Sequence, residues 1–214
     1  MRRLLVILVL LAGFVSLPAQ TYWDGARADK LLSFGLRAGV NFSKQYSSDL
    51  NMDLDYRVGY QVGFEADLNL CRSMSINTGV YLIQKGYKGE VKDFLLKVHD
   101  NPTYIEFPLL ASYRIPLSDA TTFQLNVGPY FAYGVGGTYV MEYGGNGDSA
   151  ETESFDMYDG LKRFDMGLSY GCAVTMSKLY IGACYEHGLI KAGQRTSNNA
   201  KNASIVITLG YNFK

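Results

Sequence analysis

Hydrophobic and polar residues alternate along eight segments of the chain. Strict alternation places successive side chains on opposite faces of a β-strand, and patterns with the period of a helix are nearly absent. The chain therefore predicts an all-β fold of eight strands. The strands are predicted near 33–42, 57–70, 74–86, 104–115, 122–134, 163–175, 178–188 and 204–213.

The connections between these strands alternate in length. Three are short and lie at 71–73, 116–121 and 176–177. Four are long, are rich in Ser, Asn, Asp and Gly, and lie at 43–56, 87–103, 135–162 and 189–203. An even number of strands with short turns at one end and long loops at the other is typical of an antiparallel up-and-down transmembrane barrel. Both termini are then expected on the periplasmic, short-turn side.

The two faces of the strands separate a membrane barrel from a soluble one. A soluble lipocalin-like barrel also has eight alternating strands, so the alternation alone does not decide. The apolar face, which begins Phe34-Leu36-Ala38, carries no Asp, Glu, Lys or Arg, although 19% of the chain is charged. A charge on a lipid-facing position costs about 2–4 kcal/mol at the membrane midplane. The apolar face is therefore expected to contact lipid.

The opposite face is polar and rich in glycine, as the crowded interior of a small barrel requires. Unpaired charges inside would be costly, so we expect ion pairs that fill the lumen. Arg57 is expected to balance Glu106, Asp165 and Glu186 in the half nearer the long loops. A narrow ion path lined by these groups is the alternative. The predicted lumen charge network is Arg37, Arg57, Glu65, Asp67, Glu106, Arg114, Asp165 and Glu186.

The last strand has an apolar row that is expected to close the barrel against the first strand, because no strand edge can stay unpaired in hydrocarbon. Its two aromatic residues suit the membrane interface. A terminal aromatic also resembles the signal that the barrel-assembly machinery reads. The row consists of Ile205, Ile207, Leu209, Tyr211 and Phe213.

The N-terminus reads as a secretory signal peptide over 1–19. Arg2 and Arg3 precede an apolar run that is too short to span a bilayer, and Ala19 suits cleavage. A periplasmic segment is predicted over 20–32 and the barrel domain over 33–214. The 20 basic residues less Arg2 and Arg3 leave 18 against 20 acidic residues, a balance that gives no footprint for nucleic acid.

No catalytic, metal or cofactor site is predicted. The three cysteines have no metal-ligand spacing, and Cys172 on the apolar row cannot reach Cys184 on the polar row. His99 and His187 fall at the long-loop end, but no spacing fixes a nucleophile and a base. The acidic residues at that end are Asp148, Glu151, Glu153, Asp156 and Asp159.

Two features stay open at this level. The acidic loop 144–160 is either a solvated loop or a contact surface, for a partner or for divalent cations that bridge lipopolysaccharide. Pro108 and Pro129 fall inside strands, where neither can donate to the hydrogen-bond ladder. A β-bulge or a water-filled gap is expected beside them.

Several stretches together resemble the PorT-like outer-membrane β-barrel family, whose members are often labelled "porin family protein". They are Gly35–Ser43, Tyr81–Gly86, Tyr104–Leu110, Gly128–Tyr130 with Tyr133, and Gly210–Phe213. The resemblance implies a cell outer-membrane location and supplies no catalytic residues. Some members belong to a protein-secretion system.

The sequence thus predicts a monomeric, non-enzymatic outer-membrane barrel with a filled lumen and a structural or interaction role through four extracellular loops. The alternatives are a subunit or assembly factor of a secretion complex, or a narrow small-solute channel. Expected partners are outer-membrane lipid and lipopolysaccharide, the barrel-assembly machinery, and a protein at the loops.

Overall fold

A computed structural model of the chain describes residues 26, 28, 30–46, 54–91, 96–143, 149–155, 160–193 and 200–213. The predicted signal peptide over 1–19 lies outside these residues. The described residues form thirteen β-strands. They are β1 (Leu32–Tyr46), β2 (Leu54–Asp55), β3 (Arg57–Asn69), β4 (Met74–Gln84), β5 (Tyr87–Val91), β6 (Leu96–Asp100), β7 (Thr103–Ser118), β8 (Thr121–Gly136), β9 (Thr138–Tyr143), β10 (Ser149–Glu153), β11 (Phe164–Met176), β12 (Leu179–Gly188) and β13 (Lys201–Asn212).

Eight of these strands form a closed antiparallel barrel in the order β1-β13-β12-β11-β8-β7-β4-β3. Their positions agree with the eight predicted strands to within a few residues. The largest shifts are at β1, which continues to Tyr46, and at β13, which begins at Lys201. The predicted fold class is therefore confirmed.

The barrel is closed by β1 and β13, as the sequence predicts. Their pairing runs without interruption from Gly35↔Asn212 to Tyr46↔Lys201. This register places both chain ends of the barrel at one end, which we call the terminal end. The opposite end is the loop end. The apolar row of β13 faces outward, with Leu209 60% exposed, while Val206 beside it is fully buried.

The barrel is apolar outside and polar inside, the reverse of a soluble protein. Large apolar side chains such as Val40, Phe64 and Ile207 stay exposed on the outer wall. Polar side chains such as Asn41 and Ser169 are buried in the lumen.

Within the described ranges, no helix has the length and apolar character needed to cross a membrane.

A second sheet stands at the loop end, where the sequence predicted only loops. It has five strands in the order β10-β9-β6-β5-β2, and we call it the loop-end sheet. Its strands extend barrel hairpins: β5 follows β4, β6 precedes β7 and β9 follows β8. The prediction of loops was wrong because these strands have at most six residues and are flanked by turn-forming residues, so their alternation is weak.

Two glycines mark the joint between the barrel and the loop-end sheet. Gly86 has a φ of 155° and Gly137 a φ of 159°, conformations that residues with a Cβ rarely adopt. Added side chains would also collide there, at Gly86 with the carbonyl of Asp100 and at Gly137 with Pro102. The chain therefore changes direction at these two points and resumes as strands beyond them.

The two strand prolines flank an interruption of the barrel ladder. Pairing of β7 with β8 stops at Pro108 and resumes at Ala111, and Pro129 faces this gap. The register is the same on both sides, so the irregularity is a gap and not a bulge. The hydroxyl of Thr78 on β4 donates to the carbonyl of Pro108 at 2.8 Å. This bond satisfies one of the backbone groups that the interruption leaves without a ladder partner.

We predict that a disulfide will form across the closing strands. Val40 and Ile207 are opposite each other and both point outward, so cysteines there have Cβ atoms about 4.5–5.5 Å apart. In a background with the three native cysteines replaced by serine, Val40→Cys with Ile207→Cys should oxidise. The heat-unfolded protein should then migrate faster without reductant. Val40→Cys with Val206→Cys is the control, because Val206 points inward. Equal oxidation of both pairs would contradict the register.

Candidate functional site

The candidate site is the barrel interior, where charged side chains meet in three groups. The first is centred on Arg37 of β1, which forms an ion pair with Glu65 of β3. Gly63 and Gly210 are the residues opposite Arg37 on its two neighbouring strands, so the guanidinium has room to lie across them. The hydroxyl of Tyr81 donates to the second oxygen of Glu65 at 2.9 Å.

The second group lies nearer the terminal end. The Nη2 atom of Arg114 is 3.1 Å from Oδ2 of Asp67, and the amide of Asn77 donates to Oδ1 of the same carboxylate at 2.9 Å. Arg114 also donates to the side-chain oxygen of Asn69. The structure thus brings together the four charged residues predicted for the middle and lower lumen, in two pairs.

The third group is an ion cluster around Lys85, which directly follows β4. The Nζ atom lies 2.6 Å from Oε2 of Glu106, 3.0 Å from Oε2 of Glu186 and 3.9 Å from Oδ2 of Asp165. All four side chains are at most 5% exposed. Nζ also lies 4.2 Å from the centre of the Tyr130 ring, where a cation is attracted to the π-face. One cation therefore holds three carboxylates from three strands.

Lys85 is the residue that sequence reasoning missed, and it corrects the expectation for Arg57. Arg57 begins β3 at the rim and donates from Nη1 to the backbone carbonyl of Asp100 at 3.0 Å, so it does not meet the three acids. A signal was present, because Lys85 shares the inward parity of Asn77 and Gly79. The residues between them, Tyr81 and Ile83, are apolar or aromatic, and they disguise the inward row.

A small cavity lies between the Lys85 cluster and the Arg37 pair. Its volume is about 50 Å³, which has room for about three or four waters. Glu106, Glu186, Gln61 and Tyr81 line it. The side-chain oxygen of Gln61 is buried without a hydrogen-bond partner among the described residues, so a water is expected there. The cavity is a wet pocket bounded above and below by ion pairs.

An apolar cap covers the lumen at the loop end. Phe155, Leu161 and Ala192 come from the segments after β10 and β12, and they are buried against barrel residues such as Tyr104. Phe155 meets the edge of the Tyr104 ring at a centroid distance of 5.5 Å. Gly134 lies under the Phe155 ring, where an added Cβ would collide with it. The lumen is therefore closed by this cap as well as by the ion cluster.

The structure does not assemble the histidines and acids into a catalytic arrangement in the part of the chain that it describes. His187 faces outward in a stack with Tyr46, whose hydroxyl is 2.8 Å from Nε2, and His99 lies in β6. Glu151 and Glu153 are exposed on β10. Asp148, Asp156 and Asp159 lie outside the described residues, as do 144–148 and 156–159 of the acidic loop.

The three cysteines are free thiols. Cys172 is opposite Ala183 and not Cys184, which confirms the expectation that these two thiols are not bonded. The described residues include no group of His, Cys, Asp and Glu that could hold a metal ion.

Asp100 is a buried carboxyl at the joint beneath the loop-end sheet. Its Oδ1 accepts a hydrogen bond from the hydroxyl of Ser154 at 2.5 Å. Burial raises the pKa of Asp100 to about 6, although the bonds from Ser154 and from the Asn101 backbone, and the charge of Arg57, act in the opposite direction. Burial therefore dominates the electrostatics of this carboxyl.

A family model described as "Outer membrane protein beta-barrel domain" matches residues 19–193. A search of curated proteins found no match.

Solved outer-membrane proteins share the fold at low identity. The outer membrane protein OprG of Pseudomonas aeruginosa is 13% identical with a TM-score of 0.50, and the match covers 88% of this chain and 98% of that one. Neisserial surface protein A is 14% identical with a TM-score of 0.44, over 86% and 100% of the two chains. Ail, the attachment invasion locus protein of Yersinia pestis, is 12% identical with a TM-score of 0.41, over 85% and 98%.

We predict that Lys85→Ala will destabilise the barrel by about 3–5 kcal/mol, because it leaves buried carboxylates without their cation. Lys88→Ala is the matched control: this lysine is exposed on β5, and its removal should change the free energy of unfolding little. The unfolding midpoint in urea, or the temperature at which the folded band disappears in SDS gels, measures both. Equal shifts would mean that the acids do not depend on Lys85.

We also predict that Asp100 makes stability depend on pH. Folding raises its pKa, so its favourable contribution is complete below about pH 4 and is lost as the pH rises through about 6. Relative to Asp100→Asn, the wild type should lose on the order of 2–3 kcal/mol between pH 4 and pH 7. Urea unfolding in micelles at several pH values tests this. Ser154→Ala should steepen the loss, since it removes a bond to the charged form; parallel pH profiles for wild type and Asp100→Asn would refute the assignment.

Proposed function

The chain belongs to the outer membrane protein beta-barrel domain family, and from that membership we propose that it is a closed outer-membrane barrel that presents the loop-end sheet to the cell exterior as an interaction surface. In this proposal the termini are periplasmic, the barrel is monomeric, and the protein is not an enzyme. The lumen is not a conduit.

The observation that carries the proposal is the double closure of the lumen. Lys85 and its three acids fill the cross-section in the loop-end half, and the cap with Phe155 lies above them. Eight strands enclose a lumen that side chains can fill, so no aqueous path is needed to explain the polar interior. The remaining cavity of about 50 Å³ is too small to be a passage. These features favour an anchor over a channel.

The loop-end sheet has the properties of a presented surface. Its outer strand β10 is exposed along its described side chains, and Lys88 and Glu142 on β5 and β9 are exposed too. The joint beneath it is fixed by backbone bonds, from Lys85 to Pro102 at 2.9 Å and from Asn101 to Thr138 at 3.1 Å. A surface held in one orientation loses less entropy on binding than a mobile loop does.

The resemblance to PorT-like proteins supports a second candidate, in which the partner of this surface is a component of a protein-secretion complex. Crosslinking in intact outer membranes, followed by purification of the barrel, separates the two. Recovery with a fixed set of envelope proteins would support the complex, and recovery alone would support an independent barrel. A small-solute channel would instead show discrete conductance steps in planar bilayers.

We predict that an epitope inserted beside Glu151 will be accessible to antibody on intact cells. The reason is that β10 lies at the loop end, which the proposal places outside the cell. An epitope beside Asp119, in the turn between β7 and β8 at the terminal end, should become accessible only after the outer membrane is broken. Folding of both variants is checked by their heat-dependent gel shift. Surface labelling at Asp119, with none at Glu151, would reverse the orientation and end the proposal.

A further inference from the structure

A groove on the outer wall combines basic and apolar side chains where the barrel meets the loop end. Lys162, Arg163, Phe164 and Ile190 line it, and its volume is about 590 Å³. Phe164 is the first residue of β11, so the groove opens onto the outer wall and not into the lumen. Neither the ion cluster nor the loop-end sheet uses these residues.

The basic side of the groove is built by two chain segments that pair with each other. The backbone amide of Lys162 donates to the carbonyl of Ala192 at 2.7 Å, and Leu161 forms a bridge with Gly193. This pairing brings Lys191 to the same edge as Lys162 and Arg163. The segments 160–164 and 189–193 contain these three cations and no acidic residue.

Arg163 is held in place before any ligand arrives. Its backbone carbonyl accepts from the Gly134 amide at 2.6 Å, and its Nη1 donates to the Gly134 carbonyl at 3.1 Å. Its guanidinium carbon lies 5.3 Å from the centre of the Phe155 ring in the cap. Lys162 and Lys191 are exposed on either side.

The apolar side of the groove continues down the lipid-facing wall. Phe164 is 50% exposed, Leu189 and Leu168 are 43% exposed, and Tyr133 is opposite Phe164 on β8. A ligand that fits both sides has a negatively charged head and hydrocarbon chains that run along the barrel. Arg and Lys favour phosphate in the head, since both donate charge-assisted hydrogen bonds to it.

We propose that this groove binds one phosphorylated, acylated lipid of the outer leaflet, with its phosphate on Lys162, Arg163 and Lys191 and its acyl chains on Phe164, Leu168 and Leu189. The proposal rests on the proposed function, because the loop end must face the outer leaflet for such a lipid to reach it. A soluble phosphorylated molecule would use the cations but not the apolar wall.

The test uses the full-length folded barrel in micelles with purified lipid A as the probe and native mass spectrometry as the readout. Wild type should retain one lipid A, and Lys162→Gln with Lys191→Gln should bind it about 25-fold more weakly, roughly fivefold for each cation removed at a surface. Lys88→Gln, on the loop-end sheet, and Lys178→Gln, at the terminal end, are matched controls that should bind as wild type does. Equal binding by all variants would overturn the site.

Two further arms decide the source of the phosphate. Dephosphorylated lipid A should bind wild type as weakly as lipid A binds the double variant, and inorganic phosphate should not displace lipid A. Displacement by inorganic phosphate would replace the lipid with a soluble ligand and overturn the proposal. Binding in micelles does not depend on orientation, so the epitope experiment at Glu151 can fail while this one succeeds, and the reverse.

Discussion

Hydrocarbon offers no hydrogen-bond partner to a peptide group, and the architecture of this protein follows from that constraint. A strand edge left open in lipid would expose a row of unpaired amides and carbonyls. The continuous pairing of β1 with β13 removes the last such edge and fixes the two chain ends of the barrel side by side. The inverted distribution of side chains follows, because the wall faces lipid and the polar groups can only turn inward. There they must satisfy one another, which is why the lumen is a set of ion pairs and hydrogen bonds.

The fold could be predicted from the sequence because the physical contrast along it is strong. A strand with lipid on one side and a crowded polar lumen on the other, such as β1 or β13, shows strict alternation, and the absence of charge on one face marks the membrane. The loop-end sheet lacks that contrast, since its short strands have water near both faces. No period-two signal therefore separates β6 or β10 from a loop.

The interior was predictable as a population of residues and less so as a set of contacts. Parity assigns Arg37, Glu65 and Glu106 to the lumen, but it does not say which cation reaches which acid across the barrel. Lys85 reaches Glu186 on the far wall because of its long side chain and its height in the barrel, and neither property is visible in a linear pattern. Pro108 and Pro129 were recognised as misfits, yet the choice between a gap and a bulge required the register.

The Lys85 cluster has a consequence for how the barrel assembles. Its cation follows β4 and its acids lie on β7, β11 and β12, and β11 and β12 lie across the lumen from β4 in the barrel order. A flat or partly curled sheet cannot bring these groups together, so the cluster stabilises the closed cylinder and none of the open forms that precede it. Nascent chains would then carry the cost of separated charges until late in insertion. The cluster thereby makes closure cooperative and disfavours release of an incomplete sheet into the membrane.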